Sequence, residues 1–137
     1  DILGDAVSTA ARIESKCKEY GCLLLVGGDT YKHTKNDFFY LKVDDLAVKG
    51  KTIGIELYTV LDIKKTKYAK AKQMHTDMYN HYLNQEFNRA INLCEKLTDA
   101  FDGKMKGYYT MWIERCEFQK TQNLPVDWNG IFIATTK

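Results

Sequence analysis

D-I-L-G-D-A-V-S-T-A-A-R-I-E, residues 1–14, is the stretch on which the reading of this chain turns. Its first five residues have the character of a strand end running into a turn. From Asp5 to Tyr20 the apolar positions Val7, Ala10, Ala11, Ile13, Cys17 and Tyr20 recur at helical spacing, with Asp5 able to cap the start and Gly21 placed to stop it. On such a helix Ser8 and Arg12 stand four residues apart and share a face, and Asp1 lies just upstream, where strand gives way to helix. Lys49 sits at the mouth of a later hairpin beside Gly50. A carboxylate that can accept from a base's exocyclic amine, with Arg and Lys to neutralise phosphates, is a set suited to a nucleotide. Each residue alone is equally at home on a solvated helix face or in a turn.

Downstream, C-L-L-L-V at 22–26 shows no alternation, which predicts a strand buried on both faces. A short helix is expected next, capped by Asp29 or Thr30 and running to about Lys35. Phe38 to Val48 and Ile53 to Val60, joined at Gly50-Lys51, read as a β-hairpin. After Asp62 helix formers take over. Helices are predicted over Tyr68 to Asn84, with Ala71, Met74, Met78 and Tyr82 on one side; over Glu86 to Phe101, with Phe87, Ala90, Ile91, Cys94 and Leu97; and over Lys104 to Gln122, with Tyr108 or Tyr109, Trp112, Ile113 and Cys116. The single proline, Pro125, closes the last of them before a W-N-G turn and a short apolar segment, Ile131 to Ala134. The chain thus divides near residue 62 into an α/β part, 1–62, and a helical part, 63–137.

Composition narrows the class. In 137 residues, 45% are apolar and 28% charged, as in ordinary globular proteins and unlike collagen-like or disordered chains. The longest apolar run, Cys22 to Val26, is far shorter than the roughly 20 residues of a membrane helix. Four cysteines without C-x-x-C spacing, and without clustered histidines, suggest neither a zinc site nor a disulfide framework but reduced thiols in a cytoplasmic setting. A net charge of +2 gives no reason to expect nucleic acid. The charge is uneven, eight basic to ten acidic residues in 1–62 against twelve to eight in 63–137, and Lys64, Lys65, Lys67, Lys70 and Lys72 form one basic run. That run reads as a solvated linker or helix face, or more sharply as a patch for anionic lipid or a nucleotide's phosphates. The chain begins at Asp1, and an upstream strand is expected before it, so it reads as part of something larger.

These residues carry a resemblance. Residues 1–14, followed by V-K-G-K at 48–51 and I-E-L-Y-T-V at 55–60, resemble the second half of the catalytic domain of class III nucleotidyl cyclases, in particular bacterial adenylate cyclases. The family pattern G-D-x-V-N-x-A-A-R-L-E is matched at Gly4, Asp5, Val7, Ala10, Ala11, Arg12 and Glu14. The later part is similar to the helical tail of some membrane-anchored bacterial members, through Y-x-x-x-E-F-x-x-A around Phe87 and Ala90 and L-P-x-D-W-x-G at 124–130. The implied fold is α+β, part of a ferredoxin-like cyclase domain followed by an α-helical, TPR-like tail.

The resemblance implies conversion of ATP to cyclic AMP and pyrophosphate at a site shared by two cyclase domains, so a second domain, in a homodimer, is the expected partner. In the family two Mg²⁺ ions held by two aspartates activate the attacking oxygen. Those ligands, and a base-reading Lys, belong to the upstream half, so none is expected in this chain, and the fragment is expected to be inactive alone. Asp1 matches the base-reading aspartate, Arg12 the transition-state arginine and Lys49 the phosphate lysine. Ser8 stands where the family has Asn and cannot offer an amide's two donors or its reach. Asp44-Asp45 is a tempting substitute metal pair, but neighbours on a strand point to opposite faces. A membrane enters only through parts of the parent outside this chain, which could be anchored in an inner membrane. Two other readings remain open: a regulatory pseudo-cyclase, to which Ser8 points, and a TPR-like protein-interaction module built on the tail. With the upstream half absent, residues 22–26 and 53–60 are expected to leave an open sheet edge, and the chain to self-associate.

Overall fold

A computed structural model describes residues 16–17, 19–22, 24–48, 54–63 and 68–134. The chain forms two compact units, one of residues 1–64 with 131–137 and one of residues 65–130. The fold is mixed: the described residues hold the end of one helix, four further α-helices and a four-stranded sheet, consistent with an α+β class.

In the first unit, Lys16, Cys17, Glu19 and Tyr20 are the described end of a helix. It stops where the sequence places the stop. Gly21 takes a φ of +63°, and the Cys22 amide reaches back to the Cys17 carbonyl at 3.1 Å, which satisfies a carbonyl the ending helix would otherwise orphan. Then come β1 (Leu25–Gly27), the short helix α1 (Gly28–Thr34), β2 (Phe38–Val48) and β3 (Ile55–Ile63). β2 and β3 are the predicted hairpin, antiparallel from Phe38 opposite Ile63 to Leu46 opposite Ile55. Its Gly50-Lys51 turn lies outside the described residues.

Three expectations are corrected here, and one strand is added. The apolar run 22–26 is not a strand buried on both faces: β1 holds only three residues, pairs antiparallel with β3, and leaves Leu24 48% exposed just before it. The cap of α1 is the extended backbone of Gly27, with no side-chain cap from Asp29 or Thr30. β3 is not an open edge, because it lies between β1 and β2 in the order β1-β3-β2-β4. Finally, the segment after the W-N-G turn rejoins the sheet as β4 (Phe132–Ala134), parallel to β2 with Leu46 opposite Phe132. A parallel neighbour needs a long crossover, and here β3 and the whole helical unit intervene in the chain.

The register of β2 on β3 slips between Phe39 and Tyr40 and again between Lys42 and Asp44. Such irregularities re-aim side chains. Phe39, Tyr40 and Leu41, three in a row, are all buried, as are Val43 and Asp44. Water is thus excluded from both faces of β2 over residues 39–41 and 43–44, the environment the sequence had suggested for 22–26, while Lys42 stays partly exposed.

The second unit packs α2 (Ala69–Leu83) on α3 (Phe87–Leu97) and α3 on α4 (Lys106–Lys120), with a 3₁₀ turn at Phe101–Gly103. α3 buries all five residues of its predicted stripe, Phe87, Ala90, Ile91, Cys94 and Leu97. α2 and α4 depart from theirs because polar groups share the core. His75 and Tyr79 are buried where Ala71 and Met74 are only partly covered, and the His75 Nδ1 lies 2.8 Å from the Tyr109 hydroxyl. On α4, Arg115 and Gln119 are buried and Ile113 is partly exposed. The Arg115 guanidinium lies 4.7 Å from the centre of the Trp112 ring, and Gln119 donates to the Tyr82 hydroxyl at 3.3 Å. Tyr79, Tyr82 and Tyr108 surround Trp112 at 4.7–5.7 Å between ring centres, and Trp128 adds its edge to Tyr82 at 5.1 Å.

Gly130 ends this unit with a φ of +85°, and a Cβ there would sit 2.2 Å from the Leu83 Cδ2. Gly130→Ala should lower unfolding stability by about 1–3 kcal/mol, from left-handed strain and displacement of Leu83. Urea denaturation checks this, and the loss should shrink in a Leu83→Ala background, where the obstructing methyl is gone.

Candidate functional site

Asp1, Ser8 and Arg12 fall in residues 1–15 and Lys49 in residues 49–53, so all four site residues expected from sequence lie outside the described residues. Next to these segments in sequence stand the helix end of Lys16, Cys17, Glu19 and Tyr20 and the strand β2. Tyr20, at the end of the helix that follows Arg12 in sequence, is fully buried, and its hydroxyl donates to the carboxylate of Asp44, also fully buried. The other Asp44 oxygen accepts the Asp45 backbone N–H at 2.9 Å. Asp45 turns elsewhere, to Lys42 at 3.0 Å. The two aspartates therefore face different partners, as strand geometry requires. Among the described residues no group of three or more His, Cys, Asp or Glu side chains could hold a metal ion. The donor set does not fit Mg²⁺, and no metal-dependent step is assigned to these residues.

A polar and aromatic cluster on the hairpin escaped the sequence reading. The Lys42 ammonium bridges Asp45 and Glu56, the latter at 3.1 Å, while the Tyr58 hydroxyl donates to Glu56 at 3.2 Å. Tyr58 stacks face to face on Tyr31 of α1 at 3.8 Å, and Tyr40 meets Tyr31 edge-on at 5.2 Å. Burial, the largest single influence on Lys42, favours its neutral form, but the hydrogen bonds and charges of Asp45 and Glu56 outweigh it and raise its pKa. The Lys42 hydrogen bond holds the Glu56 carboxyl below its ordinary value. Burial first, then Glu56, pushes the Tyr58 phenol up. A charged Lys, an ionised Glu and a protonated Tyr satisfy one another, and such a set offers neither a general base nor a nucleophile. Lys42 and Tyr58 are opposite each other in the ladder, a cross-strand signal readable only once the register is known.

In the helical unit an open depression is lined by Gln85, Glu86, Phe87, Asn88, Arg89 and Lys120. Its charges are already engaged: Glu86 pairs with His81 at 2.9 Å and Arg89 at 3.2 Å, and Lys120 with Glu117 at 3.3 Å. The His81 hydrogen bond, the strongest influence on it, lowers the pKa of Glu86. Among the described residues no helix is long and apolar enough to cross a membrane.

Comparison with known proteins gives one relative to report. Over 105 residues, 69% of this chain, the sequence is 32% identical to the terminal-differentiation-specific adenylate cyclase of Dictyostelium discoideum. The match supports an adenylate cyclase relationship and, at this distance, the cyclase class. It involves only 5% of that protein's length. No family model matches the chain, and no solved structure does.

All four cysteines are thiols, and three are buried. Burial pushes the thiols of Cys22 and Cys116 up to about 12 and raises that of Cys94 as well, so none of these three is a ready thiolate near neutral pH. With an aromatic disulfide reagent at pH 8, the half-buried Cys17 should react first and the other three only as fast as the chain unfolds. Rapid labelling of all four without denaturant would show that these cores open.

Proposed function

We propose that the chain is the second half of a class III cyclase catalytic domain with a TPR-like helical tail, and that its parent converts ATP to cyclic AMP and pyrophosphate. The observation that carries this reading is the 32% identity over 105 residues to a protein named as an adenylate cyclase. The G-D-x-V-x-x-A-A-R-x-E run at 4–14 adds a motif whose residue types suit the chemistry. Asp1 accepts from the N6 amine of adenine and repels the O6 of guanine, which favours ATP over GTP. Arg12 aims a fixed guanidinium fork at charge developing on the phosphoryl oxygens as the ribose 3′-oxygen attacks the α-phosphorus. Lys49 sets a compact cation against the departing pyrophosphate, with Gly50 next to it permitting close approach. Ser8 takes the ribose-side position with one hydroxyl.

The family's Mg²⁺ ligands and base-reading Lys are assigned to residues outside this chain, and the complete site to a homodimer in the cytoplasm. One feature favours a second reading. Ser8 in place of Asn weakens the ribose contact, which a regulatory pseudo-cyclase would tolerate and a fast enzyme would not.

In the full-length parent, Arg12→Ala and Lys49→Ala should each lower kcat by about 10²–10³-fold, the scale of one lost transition-state contact. Asp1→Ala should reduce the preference for ATP over GTP, and Ser8→Asn should raise kcat. Wild-type kinetics in the Asp1, Arg12 and Lys49 variants would refute the assignment. An inactive parent that gains turnover on Ser8→Asn would identify the pseudo-cyclase. The 137-residue chain alone should make no cyclic AMP from Mg-ATP above background. Product formation by the purified chain would overturn the placement of the metal ligands.

A further inference from the structure

We infer that Tyr20 and Asp44 form a positioning pair, a buried hydrogen bond that holds the chain segment following Arg12 and the strand preceding Lys49 in one fixed relation. The inference rests on the cyclase reading of those two cations and adds residues that the sequence motif does not contain.

Tyr20 and Asp44 are 24 positions apart, and both have no exposed surface. A carboxylate withdrawn from water is expensive, and a Phe facing a Leu would fill similar space without that cost. What the polar pair provides is direction. An O–H to carboxylate bond has a narrow range of angles and lengths, whereas an apolar contact can slide. The carboxylate is itself held, since its second oxygen takes the Asp45 N–H at 2.9 Å. Its aim comes from the register shift between Lys42 and Asp44, where the ladder passes from Lys42 opposite Tyr58 to Asp44 opposite Leu57. A regular strand would have spaced these side chains differently.

The other end of the bond is equally constrained. Tyr20 is the last helical residue before Gly21, with the Cys22 amide locked on the Cys17 carbonyl at 3.1 Å. The Cys22 thiol also donates to the Tyr20 carbonyl at 3.5 Å. Arg12 precedes Tyr20 by eight residues, and Lys49 follows Asp44 by five and comes directly after the last residue of β2. A bond at Tyr20–Asp44 thereby ties the helix end that Arg12 precedes in sequence to the strand that Lys49 follows. It acts on transition-state geometry, to which rates are steeply sensitive, more than on uptake of ATP.

The test uses the full-length parent with two variants, read by steady-state kinetics and thermal unfolding. Tyr20→Phe deletes one hydroxyl. It should lower kcat about 10-fold, leave the KM for ATP within about two-fold, and lower the unfolding midpoint by a few degrees. Tyr20→Phe/Asp44→Leu removes both groups of the bond, so no carboxylate is left facing a missing hydroxyl; the part-buried Asp45 N–H loses its acceptor, so the midpoint should recover in part while kcat stays low. If Tyr20→Phe does not fold, the double variant still decides the matter. Recovery of kcat together with the midpoint would show that the pair serves stability alone and would overturn the inference, as would an unchanged kcat in folded Tyr20→Phe. A wild-type parent that forms no cyclic AMP would instead overturn the cyclase reading and this inference with it.

Discussion

The backbone ladder between β2 and β3 is the constraint on which the first unit depends. Its register runs from Phe38 opposite Ile63 to Leu46 opposite Ile55, and the other two strands attach to it, β1 on β3 and β4 on β2. Because side chains alternate along a strand, that register decides which residues leave water, and a one-residue slip would exchange the faces. Leu41 and Leu57 are buried by it, while Lys42 and Tyr58 are brought opposite each other. The two register shifts in β2 divide its eleven residues into short stretches with different facings. One stretch carries the half-exposed ion pairs of Lys42, and the next turns Asp44 inward to Tyr20. Structural and positioning chemistry thus share one strand, separated by a local irregularity.

The helical unit is organised by aromatic packing around Trp112, and several of the polar groups buried with it are tied across the helices. His75 reaches the Tyr109 hydroxyl, Gln119 the Tyr82 hydroxyl, and the Arg115 guanidinium lies over the indole. A purely apolar core of these volumes could repack in several ways. Hydrogen bonds from α2 to α4 restrict that freedom, because sliding one helix along the other would strand a buried donor or acceptor. The connection between α2 and α3 is fixed in the same manner. Gln85 adopts a φ of +61°, and its side-chain amide donates to the Pro125 carbonyl at 2.7 Å.

Signals contained in a few neighbouring residues were legible in the sequence, and signals depending on distant partners were not. Gly21 as a helix stop, the hairpin's two strands and the five-residue stripe of α3 are local patterns. The run 22–26 misled because an apolar stretch without alternation cannot reveal whether it has one strand neighbour or two, and the exposure of Leu24 is set by what packs there. β4 was invisible as a strand, since its partner Leu46 lies more than eighty residues away and three apolar residues carry no periodicity. His75 and Arg115 were missed because a hydrophobic stripe counts only apolar types, while these two are buried against the Tyr109 hydroxyl and the Trp112 ring. For the candidate site, Asp1, Ser8, Arg12 and Lys49 could be named from residue types and a resemblance, but spacing alone gave each an ordinary alternative. Tyr20–Asp44 could not be read at all, because it depends on a register shift within β2.

The placement of that pair suits the roles proposed for Arg12 and Lys49. Arg and Lys have long, flexible side chains, and their reach is useful only if the backbone that carries them is fixed. A buried, directional bond such as Tyr20–Asp44 supplies such restraint from the interior. The Lys42–Glu56–Tyr58 cluster shows the opposite arrangement, in which charges are engaged with one another and a large aromatic stack closes over one side. Such a cluster can hold a hairpin together but cannot discharge onto a substrate. The first unit thus keeps one charged cluster for holding the hairpin and a separate buried bond, Tyr20–Asp44, for fixing a helix end against a strand.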